Sequence, residues 1–193
     1  MVDPNDLKEI LYNISKKIIV PSFGNLKSNQ ISYKNEKDIV TEIDLAVEQE
    51  LSLSLPKLLK NSNFIGEEIY AKNPSILKYY LLDNYCWTVD PIDGTSNFAK
   101  SKDRFAVMVA LTKNKKILQS FIYKPITEEF MYADSTATYL DNKNIKLNKY
   151  TEIENSIGSI STKYWDEAKK TKLLAIKDNF KNINSYGSIG CEY

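Results

Sequence analysis

The sequence contains no histidine. That absence removes Ser-His and Cys-His nucleophilic catalysis and leaves oxygen atoms as the ligands for any hydrolytic metal chemistry. Cysteine is scarce as well. Cys86 and Cys191 are the only two, which suits neither a disulfide framework nor a zinc site and points to a reducing, cytoplasmic setting. No apolar run is long enough to span a bilayer, and the opening MVDPNDLKEI lacks a basic segment followed by an apolar one. An excess of one charge is also missing. Lys and Arg number 26 against 25 Asp and Glu, so nothing electrostatic favours a nucleic acid or an acidic membrane as partner. What remains is a globular chain of 193 residues, 42% of them hydrophobic, sufficient for a substantial core.

The densest chemistry lies at residues 85–98, YCWTVDPIDGTSNF. Residues 85–89 are aromatic and β-branched and read as a buried strand, which Pro91 and Gly94 should end at Asp90. Asp90 and Asp93 then sit on a tight turn where both carboxylates and the Ile92 carbonyl converge, a geometry suited to Mg²⁺ shared with phosphate oxygens. Gly94, Thr95 and Ser96 open a short helix whose free amides suit a phosphate. An Asp-Pro-x-Asp-Gly string is also an ordinary β-turn, and spacing alone leaves both readings open.

Around this stretch, Asp3, Pro4 and Asp6 start a helix with a stripe at Leu7, Ile10, Leu11, Ile14 and Ile18. A second helix begins at the N-cap Thr41, with Asp44 in its first turn and Val47, Leu51 and Leu55 as its apolar stripe. Pro56 should kink that helix or begin a new one. Phe64 and Ile65 form a short strand delivering Glu67 and Glu68, and Asn73-Pro74 caps a helix to about Leu82. Residues 104–112, 117–124 and 129–133 read as antiparallel strands, with a further hairpin at 139–147. The expected fold is α+β: a layered sandwich in which an N-terminal antiparallel sheet is covered by two long helices. Residues 1–150 form that first domain. Residues 151–193, with a strand from Ile157, a helix at 165–180 and a strand at 183–186, begin an incomplete α/β domain. The lysines of its helix read as a solvated face.

Three segments in order, DIVTEID (38–44), FIGEE (64–68) and WTVDPIDGTSNF (87–98), resemble the signature of the inositol monophosphatase superfamily of Mg²⁺-dependent, Li⁺-sensitive phosphatases. The resemblance runs from about Lys34 to the C-terminus. It implies hydrolysis of a small phosphomonoester of inositol monophosphate type, with a 3′(2′),5′-bisphosphate nucleotide or a sugar bisphosphate as alternatives. By the same resemblance, Glu67, Asp90, Asp93 and the Ile92 carbonyl hold Mg²⁺, Asp44 and Thr95 orient the attacking water, and the amides of Gly94 and Thr95 cradle phosphate. Glu68 manages waters, and the complete protein is a homodimer. The family's later Trp-Asp-x-Ala motif, whose aspartate completes a second metal site, is absent. A natural truncation, a fragment, or a member completed by another subunit would each account for that, as would a catalytically silent interaction module.

Overall fold

The computed structural model describes residues 1–36, 38–146, 151–161 and 165–192. Asp3 caps the first helix by accepting the Asn5 N–H (2.8 Å), and Pro4 occupies its first turn, where no N–H is needed. Helix α1 (Pro4–Ile14) passes into a π-helical turn (Ser15–Ile19) and a last α turn, α2 (Val20–Ser22). The π turn inserts one extra residue, so the apolar stripe of Leu7, Leu11 and Ile14 continues at Ile19, fully buried, while the expected Ile18 packs against the same core only partly buried.

Strands β1 (Ile31–Asn35) and β2 (Asp38–Thr41) make a separate antiparallel pair. Thr41 then caps α3 (Glu42–Leu58): its hydroxyl accepts from the Ile43 and Asp44 N–H groups, while Asp44 reaches back to the Thr41 N–H. Val47, Leu51 and Leu55 are fully buried, as their spacing predicts. Each contributes roughly 1.5–3 kcal/mol of burial. Pro56 does not start a new helix, since α3 runs on through it to Leu58. It sits in the last turn, where one lost bond is tolerated.

The main sheet has seven strands in the order β3-β4-β5-β6-β7-β8-β9: β3 Asn63–Gly66, β4 Tyr85–Asp93, β5 Ala106–Lys113, β6 Lys116–Tyr123, β7 Phe130–Asp134, β8 Thr138–Leu140 and β9 Lys143–Ile145. It is not wholly antiparallel. The β3–β4 pair is parallel, because the chain between them crosses over through α4 (Glu67–Lys72) and a 3₁₀ helix (Pro74–Leu81), which replaces the α-helix expected there. The hairpin expected at 139–147 is β8–β9; Leu147 lies outside the described residues. Helices α1 and α3 pack on one face over Trp87, Val89, Val107, Val109, Phe121 and Phe130. A smaller cluster of Ile65, Ile76 and Cys86 lies apart from that core.

Strand β4 does not stop at Asp90. It continues through Pro91 to Asp93 by a bulge, Asp90 pairing with Met108 and Asp93 with Ala106. The parallel partner β3 ends opposite Val89, so the missing Pro91 N–H removes no ladder bond on that side.

In the last part, β10 (Ile157–Ser159) and β11 (Asn182–Asn184) pair in parallel. Helix α6 (Glu167–Leu174) is shorter than the expected 165–180: it starts after Asp166, which caps the Lys169 N–H, and none of its residues is buried. Without a packed face, propensity alone does not extend it. Thr162 and Lys163, the end of the expected strand from Ile157, lie outside the described residues. A final turn, α7 (Ile189–Glu192), returns to the main sheet.

Candidate active site

The β4 bulge turns the chain so that the strand end and the following helix α5 (Thr95–Ala99) face one cavity of about 240 Å³. Glu67, Asp90, Ile92, Asp93, Gly94 and Thr95 all line it, with Ser188 and Glu192 of the last segment opposite. Gly94 makes the turn with φ +96°, and a Cβ there would lie 2.9 Å from the Arg104 carbonyl oxygen. Only glycine meets both conditions without strain. The helix is anchored by Phe98, fully buried against Phe105 at 5.0 Å between ring centroids. Asn97 adds a tether, donating to the carbonyls of Arg104 and Tyr186, each at 2.7 Å.

Asp44 lines no part of the cavity but stands behind Thr95. The Thr95 hydroxyl lies 3.0 Å from Asp44 Oδ1 and 3.0 Å from the Ile92 carbonyl oxygen. Asp44 Oδ2 accepts from the Thr41 N–H (2.9 Å) and hydroxyl (2.5 Å). Burial raises the Asp44 pKa, although the bonds from Thr41 and Thr95 oppose the rise. The result is a carboxylate that is more basic than usual yet held in one orientation.

Asp90 Oδ1 is shut off from solvent and has no hydrogen-bond partner. Burial, then the charges of Glu67 and Asp93, push its pKa well above the carboxylate range. Asp93 is differently placed: its Oδ2 accepts from the Ser188 hydroxyl (2.6 Å) and the Gly190 N–H (2.7 Å), tying α7 to the strand end. Glu67 and Glu68 share Lys34 of β1, whose Nζ lies 2.6 Å from an oxygen of each. Burial works against the ammonium, but these two bonds outweigh it and raise the Lys34 pKa. The Glu68 carboxyl is pushed up to about 7, mainly by burial and against the pull of Lys34.

Among the described residues no three acidic side chains converge into a ready-made metal cluster. Lys34 engages Glu67, and Asp93 is turned toward α7. The donor set is nevertheless all oxygen, and a buried Asp90 oxygen without a partner, in a cavity also lined by Ile92 and the Glu67 carboxylate, fits a hard divalent cation better than any softer metal. Glu67, Asp90 and the Ile92 carbonyl are the residues that would hold it.

Sequence reasoning did not single out Lys34 or Glu48 for the site, nor assign Ser188 a partner. Glu48, four residues after Asp44 on the apolar side of α3, carried the one visible signal: a charge where the pattern calls for burial.

The family profile described as "Inositol monophosphatase family" matches residues 6–193. An inositol monophosphatase from Dictyostelium discoideum is 32% identical over 160 residues, covering 82% of this chain and 57% of that protein. A fructose-1,6-bisphosphatase/inositol-1-monophosphatase from Aquifex aeolicus is 28% identical over 132 residues, 68% of this chain and 47% of its own. The chain thus spans about half the length of these curated relatives. In three dimensions, SuhB from Bartonella henselae superposes with a TM-score of 0.79 at 22% identity, over 95% of this chain and 70% of that one. Inositol monophosphatase II from Staphylococcus aureus gives 0.77 at 21%, over 97% and 66%. With the profile running over nearly the whole sequence and the fold shared, the chain belongs to the inositol monophosphatase family.

Proposed function

We propose that this chain carries the catalytic half of a Mg²⁺-dependent phosphomonoesterase acting on a small phosphorylated metabolite. The observation that carries the reading is the Thr95 hydroxyl set between Asp44 and the Ile92 carbonyl, with Thr95 lining the same cavity as Glu67, Asp90 and Asp93. A bound Mg²⁺ would neutralise phosphate charge and make water acidic enough to attack phosphorus. The residues do the rest. Asp44 Oδ1, made basic by burial, accepts the Thr95 proton, which leaves a lone pair of Thr95 Oγ1 to receive a proton from the attacking water. The N–H groups at the start of α5, which have no partner within the helix, face the phosphate oxygens from Gly94 and Thr95. The water oxygen bonds to phosphorus, the ester P–O bond breaks, and the leaving oxygen takes a proton from solvent water and departs as the alcohol.

Substrate choice follows the relatives only loosely. Solved Staphylococcus aureus enzymes carry 2′-AMP and inositol monophosphate, and the Aquifex relative is named for both a sugar bisphosphate and an inositol phosphate. We place the inositol monophosphate class first, with bisphosphates next. The domain division at residue 150 and a cytoplasmic setting belong to the same proposal; both cysteines are free thiols. A second reading, a phosphate-binding chain without turnover, is favoured by Lys34 engaging Glu67 and by Asp93 being turned toward α7. Phosphate release from inositol 1-phosphate, fructose 1,6-bisphosphate and adenosine 3′,5′-bisphosphate, with and without Mg²⁺, separates the two. Mg²⁺-dependent release that Asp90→Asn abolishes is the expected result. Retained turnover in that variant would refute the assignment, and no turnover from any substrate would favour the second reading.

A further inference from the structure

Glu48 is 3% exposed and lies on α3 one turn after Asp44, so both carboxylates leave the same side of that helix. Its two oxygens are fully engaged. Oε2 accepts the Glu68 N–H at 2.8 Å and Oε1 the Ile69 N–H at 2.9 Å. These N–H groups belong to the first turn of α4, where helical geometry provides no internal partner. The fork is also pressed from the strand side. A Cβ on Gly66, the last residue of β3, would lie 2.2 Å from Glu48 Cδ and Oε2, so the backbone that leads into Glu67 rests directly on this carboxylate. Helix α4 has only six residues. A helix that short does not hold itself in place, and its first residue is Glu67, whose carboxyl lies next to that of Asp90 in the cavity wall.

We infer that Glu48 is a positioning residue: it fixes the start of α4, and with it Glu67, relative to Asp44 and Thr95. This rests on the reading of Glu67 and Asp90 as ion ligands. One helix then sets both halves of the site. Asp44 reaches Thr95 on α5, and Glu48 reaches the backbone behind Glu67 on α4, so the separation between the two halves is a property of α3 and not of the loops.

A plain helix cap would stabilise the fold without touching ion affinity. A positioning residue must do both, and reciprocity requires the ion to tighten the fork as much as the fork tightens the ion. Glu48→Gln keeps size but offers one acceptor and turns an NH₂ group toward a backbone N–H. In this variant, calorimetric titration with Mn²⁺ alone should give affinity about tenfold weaker than in the unaltered chain, the scale seen when a group supporting a metal ligand is removed. Equal affinity in a folded variant would overturn the inference. Should the variant not fold, the unaltered chain supplies the second measurement: amide exchange at Glu68 and Ile69, with and without Mg²⁺. Slowing of about tenfold is expected on ion binding. Ion uptake with unchanged exchange at both amides overturns the role of Glu48 while leaving the ion site standing. No uptake of Mn²⁺ or Mg²⁺ by the unaltered chain brings down the ion reading and this inference with it.

Discussion

Without metal, replacing Glu68 by Gln should make the protein progressively more stable than the unaltered chain as pH rises from 5 to 8. The folded chain holds the Glu68 proton to about pH 7, whereas the ordinary value, which applies to the unfolded chain, is 4.5. Between those values the folded state binds the extra proton, so stability falls with rising pH, is complete below 4.5 and is fully lost above 7. At about 1.4 kcal/mol per tenfold change in acidity, the loss approaches about 3 kcal/mol. Solvent screens this little, since the Glu68 side chain is 5% exposed. Gln does not titrate and so removes this share. The variant also frees Lys34 of one partner, but Glu67 remains at 2.6 Å, which gives an offset largely independent of pH in this range. Asp90, raised in the same direction, leaves a residual slope in both proteins. The assay is urea unfolding in EDTA at pH 5, 6, 7 and 8. With a slope of about 2 kcal/mol per molar urea, the gap between midpoints should widen by about 1.5 M across the series. Midpoints that fall in parallel from pH 5 to 8 would refute the reasoning.

Three further outcomes are expected. Asp90→Asn should raise the urea midpoint of the metal-free chain at pH 8 by about 0.5 M, because it removes a buried carboxyl that is crowded by the charges of Glu67 and Asp93 and has one oxygen without a hydrogen bond; a lower midpoint counts against a strained carboxyl. Gly94→Ala should cost about 2 kcal/mol, read as a fall of roughly 6 °C in thermal midpoint, since φ is +96° and the new methyl meets the Arg104 carbonyl at 2.9 Å. An unchanged midpoint would mean the turn relaxes freely. Lys34→Met should tighten Mn²⁺ binding on the order of tenfold, because the ion no longer competes with an ammonium held 2.6 Å from Glu67. Weaker binding would show that Lys34 serves the ion instead.

The α3 stripe was legible because Val47, Leu51 and Leu55 keep strict helical spacing, and the Thr41 cap because a hydroxyl preceded an acidic first turn. Asp90, Ile92, Asp93, Gly94 and Thr95 were readable from one contiguous segment, as strand, bulge and helix start follow each other within ten positions, whereas Ser188 and Glu192 reach the cavity from the far end of the chain. Three things were not. The path of β4 past Pro91 depends on where the parallel neighbour β3 ends, which is a property of pairing and not of the proline. The Lys34 contact joins residues 33 and 34 positions apart through a hairpin whose placement no local pattern encodes. Asp93 looked like a free ligand because its partners, Ser188 and Gly190, arrive from nearly a hundred residues downstream.

The π turn at Ser15–Ile19 gives the first helix a spare residue. In a regular helix, deleting one position rotates everything beyond it by about 100° and pulls the apolar stripe off the core. Here, deletion of Lys16 or Lys17, both exposed, would let the turn tighten to α geometry. Ile19 would then follow Ile14 at ordinary spacing, and Phe23 would still reach Phe98 and Phe105. The segment is therefore open to length variation that helices usually forbid, and a chain one residue shorter at this point can keep the same core.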